Sequence, residues 1–273
     1  MQTLHVNGYD MAYLDVGEGS DNKPTLVCVH GSLCDFRIWS PVLGPLSKEH
    51  RVIAVSLRHC FPEAWDGEGN HYSIDQHIED VIAFIGKLDQ KPVDLMGHSR
   101  GGHVSFRVAQ KRPDLLRKLV LAEPGGEPDK TLSTEAPDGP SPLAKRFGDF
   151  AKTIKGGDVD GGLQMFMDML EGPGAWQRLP AAAKQLLRDN AMTMVGQAKE
   201  IRRPYTLADA QSVKLPTLLI GGAKTKGMLR IVLDALAATM PDAKVAMIDR
   251  ASHPMFEQQP QDYARAVLDF LSA

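Results

Sequence analysis

Short apolar runs and stretches of helical periodicity alternate along the first half of the chain. "TLVCVH" (25–30), "RVIAVS" (51–56), "VDLMG" (93–97) and "KLVLAE" (118–123) are compact, largely β-branched or aliphatic runs that predict buried strands. Between them, "IDQHIEDVIAFIGKLD" (74–89) places Ile74, Ile78, Val81, Ile82 and Ile85 at helical spacing, with Ser73 as its N-cap. Residues 36–47 and 100–112 are also expected to be helical, the second ending before Pro113. "LHVN" and "MAYLDVG" form an opening pair of strands. Strands alternating with helices imply an α/β fold: a mostly parallel sheet flanked by helices.

The pattern changes after residue 124. Residues 124–212 are rich in Gly and Pro and hold helical stretches at about 141–155, 159–171, 180–200 and 205–212, with no clear strand between them. Alternation resumes at "PTLLIGG" (216–222), followed by helix 228–239, strand "AKVAMID" (243–249) and an amphipathic helix 257–271. The insertion is too long for a loop. It divides the chain into a core of residues 1–127 and 213–273 and a helical cap of residues 128–212.

Composition narrows the function classes. The chain has 273 residues, 43% hydrophobic and 24% charged, with a net charge of −3. That balance suits a globular domain with a large core and gives no reason to expect nucleic acid or an anionic membrane as partner. Cys28, Cys34 and Cys60 are odd in number and lack CxxC spacing, which speaks against a disulfide framework or a zinc site and fits a reducing cytoplasm. The start of the chain lacks the basic and apolar regions of a signal peptide, and no apolar run approaches the ~20 residues needed to cross a bilayer.

The chemistry centres on "VDLMGHSRGGHVSF" (93–106). A strand, then Gly97-His98-Ser99-Arg100-Gly101, then a helix is the pattern of a nucleophile elbow. Small residues two positions either side of the serine let the chain turn sharply and lift the hydroxyl to the end of the sheet. There the first helical amides favour negative charge. The plainer alternative is a glycine-rich turn with an N-cap serine. A serine hydroxyl needs a base. Of nine histidines, His77 lies in a helical pattern, His5 in the first strand and His50 and His71 in polar connections. His103 falls on the first turn after the elbow, and His98 is expected to point away from Ser99. His253, in "IDRASHPMFEQQP", follows the last strand at the edge of the sheet where the elbow opens, and is the expected base. Two amides are expected to hold an oxyanion: that of Arg100, and that of Ser32 in "VHGSLCDFRIW", with Leu33 as fallback. The Arg100 side chain either binds a substrate carboxylate or forms a structural ion pair, the second being preferred.

Taken together, "HGSLCDFRIW", "GHSRGG" and "ASHPMFEQQP" resemble the α/β-hydrolase superfamily over nearly the whole chain, and the helical insertion resembles the cap that follows the sixth strand in its esterases, epoxide hydrolases and C–C bond hydrolases. The resemblance implies a triad in the order serine, acid, histidine. The usual aspartate after the seventh strand is missing: "GGAKTKGM" puts Thr225 there. A hydroxyl cannot stabilise an imidazolium. Asp249 and Glu257 flank His253, and Asp242 belongs to the opposite edge. Glu123 ends the sixth strand, beside the elbow strand, where some relatives, certain dehalogenases among them, carry their acid. Glu123 is therefore assigned to orient His253. A serine at the elbow excludes the aspartate-nucleophile chemistry of epoxide hydrolases and dehalogenases.

In the cap, the nearly all-apolar "LQMFMDML" (163–170) and five of the twelve methionines suggest an adaptable pocket wall. Leu33, Phe147, Met165, Phe166, Met169 and Trp176 are the candidate substrate-lining residues, against the alternative that each packs cap helices together. The reading is a cofactor-independent serine hydrolase acting on small apolar or aromatic esters, as monomer or homodimer. The alternatives are a lactonase, a C–C bond hydrolase or a receptor-like protein that keeps only the pocket.

Overall fold

A computed structural model describes residues 1–17, 23–69, 71–139 and 142–273. Its eight strands are β1 (Gln2–Val6), β2 (Tyr9–Val16), β3 (Thr25–Val29), β4 (Arg51–Val55), β5 (Val93–His98), β6 (Leu116–Ala122), β7 (Thr217–Gly222) and β8 (Ala243–Ile248). They form one sheet in the order β1-β2-β4-β3-β5-β6-β7-β8. β2 runs antiparallel to β1 and β4, and every pairing from β4 to β8 is parallel. All six residues of the central strand β5 are buried. Leu95 faces a cluster that includes Phe84 and Val104, and Met96 faces a second cluster with Trp39 and Tyr263. This two-sided burial explains why the middle strands read as continuous apolar runs rather than alternating ones.

Twelve α-helices surround the sheet among the described residues. In the core they are α1 (Ser40–Ser47), α2 (Ile74–Lys87) and α3 (Arg100–Lys111). The cap contributes α4 (Pro142–Lys155), α5 (Val159–Glu171), α6 (Ala175–Arg178), α7 (Ala181–Asp189) and α8 (Thr193–Lys199), and the chain returns through α9 (Leu207–Ser212), α10 (Met228–Thr239), α11 (Met255–Gln258) and α12 (Pro260–Ser272). Ser73 caps α2 as expected, accepting the Gln76 amide. The cap helices build a third apolar cluster around Phe150, Leu163 and Met194.

Several boundaries differ from the sequence expectation. The helix expected over 36–47 is a 3-10 turn, Phe36–Trp39, followed by α1. The stretch 180–200 is two helices, broken at Asn190, and α6 was not anticipated. The final helix is split because Gln259 precedes Pro260 and is forced out of helical geometry (φ −138°, ψ 62°). Residue 141, the expected start of the first cap helix, lies outside the described residues.

The helical insertion is tied together at its base. Asp129 N–H donates to Tyr205 O at 2.8 Å and Tyr205 N–H donates to Glu127 O at 2.9 Å, so the chain leaves and rejoins the core at one point. Residues 207–212, expected in the cap, belong to the core: Ala210 and Val213 pack in the same cluster as Leu233 and Leu236.

Candidate active site

Ser99 stands between β5 and α3 with φ 53° and ψ −116°, a strained backbone for any residue with a Cβ. The glycines around it are sterically required. A Cβ on Gly97 would lie 2.2 Å from Gly101 O, and one on Gly101 would lie 2.1 Å from Val29 O. The turn is fastened from behind. Ser99 O accepts the His103 amide at 3.1 Å and the Gly125 amide at 2.8 Å, and Ser99 N–H donates to Ala122 O at 3.0 Å. Arg100 opens α3, so its amide has no acceptor within the helix.

Glu123 follows β6 with φ 41° and is 1% exposed. Its Oε1 accepts the Gly222 amide of β7 at 2.7 Å, and its Oε2 meets His253 Nδ1 at 2.6 Å. His253 is itself buried. A proton on Nδ1 directed at the carboxylate leaves Nε2 as the free acceptor, the tautomer a general base requires. Asp249 is exposed, and Asp242 lies at the far edge of the sheet, its carbonyl accepting the Thr217 amide. Thr225, in the loop after β7, is buried, and among the described residues its hydroxyl has no partner.

His98 does not point away. Its ring lies 4.3 Å from that of His253, and its Nε2–H donates to His253 O at 3.1 Å. Burial, then the neighbouring His253, hold it well below the usual histidine range, so it remains neutral. It thereby fixes the loop that carries His253. His30 does the same for the loop after β3. Nδ1–H donates to Gly31 O at 2.8 Å and Nε2 accepts the Leu57 amide at 3.0 Å. Burial lowers its pKa to about 4. A Cβ on Gly31 would be 3.2 Å from Ser99 Cβ, so this loop, with Ser32, faces Ser99. The order β5-α3 gave no sign of these two histidine clamps. The only sequence hint was their position, immediately beside the two glycine turns.

The Arg100 side chain turns into the protein, 1% exposed. It forms a two-pronged pair with Glu200 at 2.6 and 2.7 Å, donates to His77 Nδ1 at 3.3 Å and stacks over Tyr72 at 4.7 Å. Its charge is thus paired inside the protein, and it is not among the residues that line the cavity of Ser99.

A cavity of about 360 Å³ lies between cap and core. Gly31, Ser32, Ser99 and His253 form its floor, and Phe166, Met167, Leu170, Leu179, Leu186 and Leu187 its apolar wall. Of the six residues expected to line it, Phe166 does. Leu33 and Trp176 are buried in the cap's own cluster, and Phe147 lines a separate cavity near Gln197. Met165, 40% exposed, and Met169 face an outer groove. The reason is helical phase. Residues 166 and 170 share one face of α5 and residues 165 and 169 the next, and an almost uniformly apolar segment hides which face points inward.

Comparisons with known proteins agree with this architecture. A model of the alpha/beta hydrolase family matches residues 26–266. The 3-hydroxybutyrate-oligomer hydrolase of Cupriavidus necator is 30% identical over 115 residues, which are 42% of this chain and 39% of that protein. A putative 2-succinyl-6-hydroxy-2,4-cyclohexadiene-1-carboxylate synthase of Bacillus subtilis is 22% identical over the full length of both. Among solved structures, the enol-lactonase from Burkholderia xenovorans LB400 superimposes with a TM-score of 0.80 at 20% identity, covering 99% of this chain and all of the other. The fold, the span of the family match and the elbow at its centre make the chain a member of the alpha/beta hydrolase family.

Proposed function

We propose that the protein is a serine carboxylesterase that cleaves small apolar or aromatic esters through an acyl-enzyme, with Ser99 as nucleophile, His253 as base and Glu123 as acid. The observation that carries this reading is the 2.6 Å contact between Glu123 and His253 Nδ1, in the cavity that also holds Ser99. His253 Nε2 takes the Ser99 proton as Oγ attacks the carbonyl carbon. The amides of Ser32 and Arg100 receive the charge that develops on oxygen. His253 then protonates the leaving alcohol and activates the water that releases the acid. Glu123 orients the imidazole, and the Gly222 amide holds its other oxygen in place. The aliphatic wall of Leu170, Leu179, Leu186 and Leu187 supports an apolar acyl or alcohol group. Three buried free thiols fit a reducing compartment.

The experiment is hydrolysis of p-nitrophenyl acetate and butyrate by the wild type and by Ser99→Ala. Turnover lost in the variant is the expected result. Turnover that persists would remove Ser99 as nucleophile, and ligand binding without any turnover would favour a receptor-like role.

A further inference from the structure

A second cavity, of about 400 Å³, lies where the chain leaves β6 and returns from the cap. It shares no lining residue with the cavity of Ser99. Leu143 and Phe147 of α4, together with Pro128 and Pro204, give it an apolar wall. Gln197 lines it from α8 and is 3% exposed. Neither Nε2 nor Oε1 of its carboxamide has a hydrogen-bond partner among the described residues. A buried amide with both ends unmet is rare in a folded interior, because the hydrogen bonds it gave to water are not replaced. Each charged side chain on the same wall does have a partner. Glu200 takes two bonds from Arg100, at 2.6 and 2.7 Å, and one from Arg202 Nη2 at 2.8 Å. Lys130 Nζ lies 3.1 Å from Asp138, and Asp129 Oδ1 accepts the Thr131 and Leu132 amides at 2.9 and 3.1 Å. Glu127 is not free either. The side chain left over is thus a neutral one, with a donor and an acceptor side by side.

We propose that this cavity binds a small neutral molecule that presents an amide edge: a lactam, a ureide or a primary carboxamide. The ligand carbonyl accepts Gln197 Nε2–H and the ligand N–H donates to Gln197 Oε1, so both unmet atoms are satisfied at once. A ketone meets Nε2 alone. A carboxylate also leaves Oε1 unmet and adds a negative charge beside Glu200 and Glu127. The flat body of such a ligand packs against Phe147 and the two prolines. The volume falls within the roughly 300–1,000 Å³ of small-molecule sites, and an apolar wall with one well-placed polar group is their usual composition.

Titration calorimetry with benzamide and with acetophenone tests the site, since the two are alike in size and shape and differ in the N–H donor. Benzamide is expected to bind at least about tenfold more tightly. In Gln197→Leu and Gln197→Met that ratio should fall to about one. In Phe166→Ala, which alters the cavity of Ser99 instead, it should be kept. Thermal unfolding without ligand separates a lost contact from a lost fold. The midpoint of the methionine variant should be no lower than that of the wild type, because the substitution removes two unmet polar atoms. Equal binding of the two probes by the wild type, or binding of neither, overturns the proposal. So does a ratio that survives in both Gln197 variants or is lost in Phe166→Ala. A midpoint lowered in both Gln197 variants overturns it as well, by showing that the carboxamide is already satisfied in the free protein.

Discussion

Glu123 and His253 are 130 positions apart in the chain and meet at 2.6 Å, with the Gly222 amide on the other carboxylate oxygen. The Glu123 carboxylate therefore follows β6 and is braced by β7. Glu123→Gln keeps the shape but donates a proton where an acceptor is needed, and turns the imidazole to the wrong tautomer. A fall in kcat of about 10³- to 10⁴-fold on p-nitrophenyl butyrate is expected, with little change in KM. Asp249→Asn, by contrast, should retain near-full turnover. The opposite pattern would move the acid to Asp249.

Arg100 and Glu200 test the difference between a structural and a substrate-binding cation. Removing one partner alone, as in Glu200→Gln, leaves a buried charge exposed to little but protein and should cost about 3–5 kcal/mol in urea unfolding. Arg100→Met combined with Glu200→Leu should recover much of that loss. Turnover per folded molecule should survive in the double variant, because the Arg100 side chain does not line the cavity of Ser99.

His30, His77, His98 and His103 are all buried with lowered pKa values. Each is neutral in the fold, while the unfolded chain protonates its histidines near pH 6.5. The unfolded state thus binds more protons below that pH, and stability falls as pH drops from about 6.5 toward 4. For His30, with a folded pKa of about 4, the loss reaches roughly 3 kcal/mol at the lower end. Urea unfolding at pH 7.5, 6 and 5 should show a steep decline that begins well above the carboxylate range. A flat profile down to pH 5 would mean these rings are protonated in the fold.

Phe166 and Met165 are adjacent in sequence and should behave differently. Phe166 lines the cavity, whereas Met165 is 40% exposed on an outer groove. Phe166→Ala is expected to lower kcat/KM for the butyrate ester about tenfold. Met165→Ala should leave both kinetics and stability nearly unchanged. Equal losses in the two variants would place the inward face of α5 elsewhere.

These contrasts also mark what the chain discloses before it is folded. The elbow is legible because backbone strain restricts residue type: Gly97 and Gly101 have no room for a Cβ. Glu123 is legible because a carboxylate ending an apolar run needs a partner. The cap wall is not, since Met165, Phe166, Met169 and Leu170 are alike in hydrophobicity and only the packing of α5 on its neighbours sets its rotation. His98 is not legible for a different reason. Its direction is set by contacts with the His253 loop and with Phe256 of α11, residues more than 150 positions away in sequence.

The hydrogen bonds that join Asp129 and Glu127 to Tyr205 give the cap the character of an exchangeable cassette. Its two ends lie side by side, so a shorter or longer insert imposes no new path on the sheet. One constraint travels with any replacement. Glu200 lies inside the cassette and neutralises Arg100 at the foot of the elbow helix. A graft that omits a carboxylate there would strand a buried guanidinium one residue from Ser99, so the elbow itself sets the terms on which its roof can be replaced.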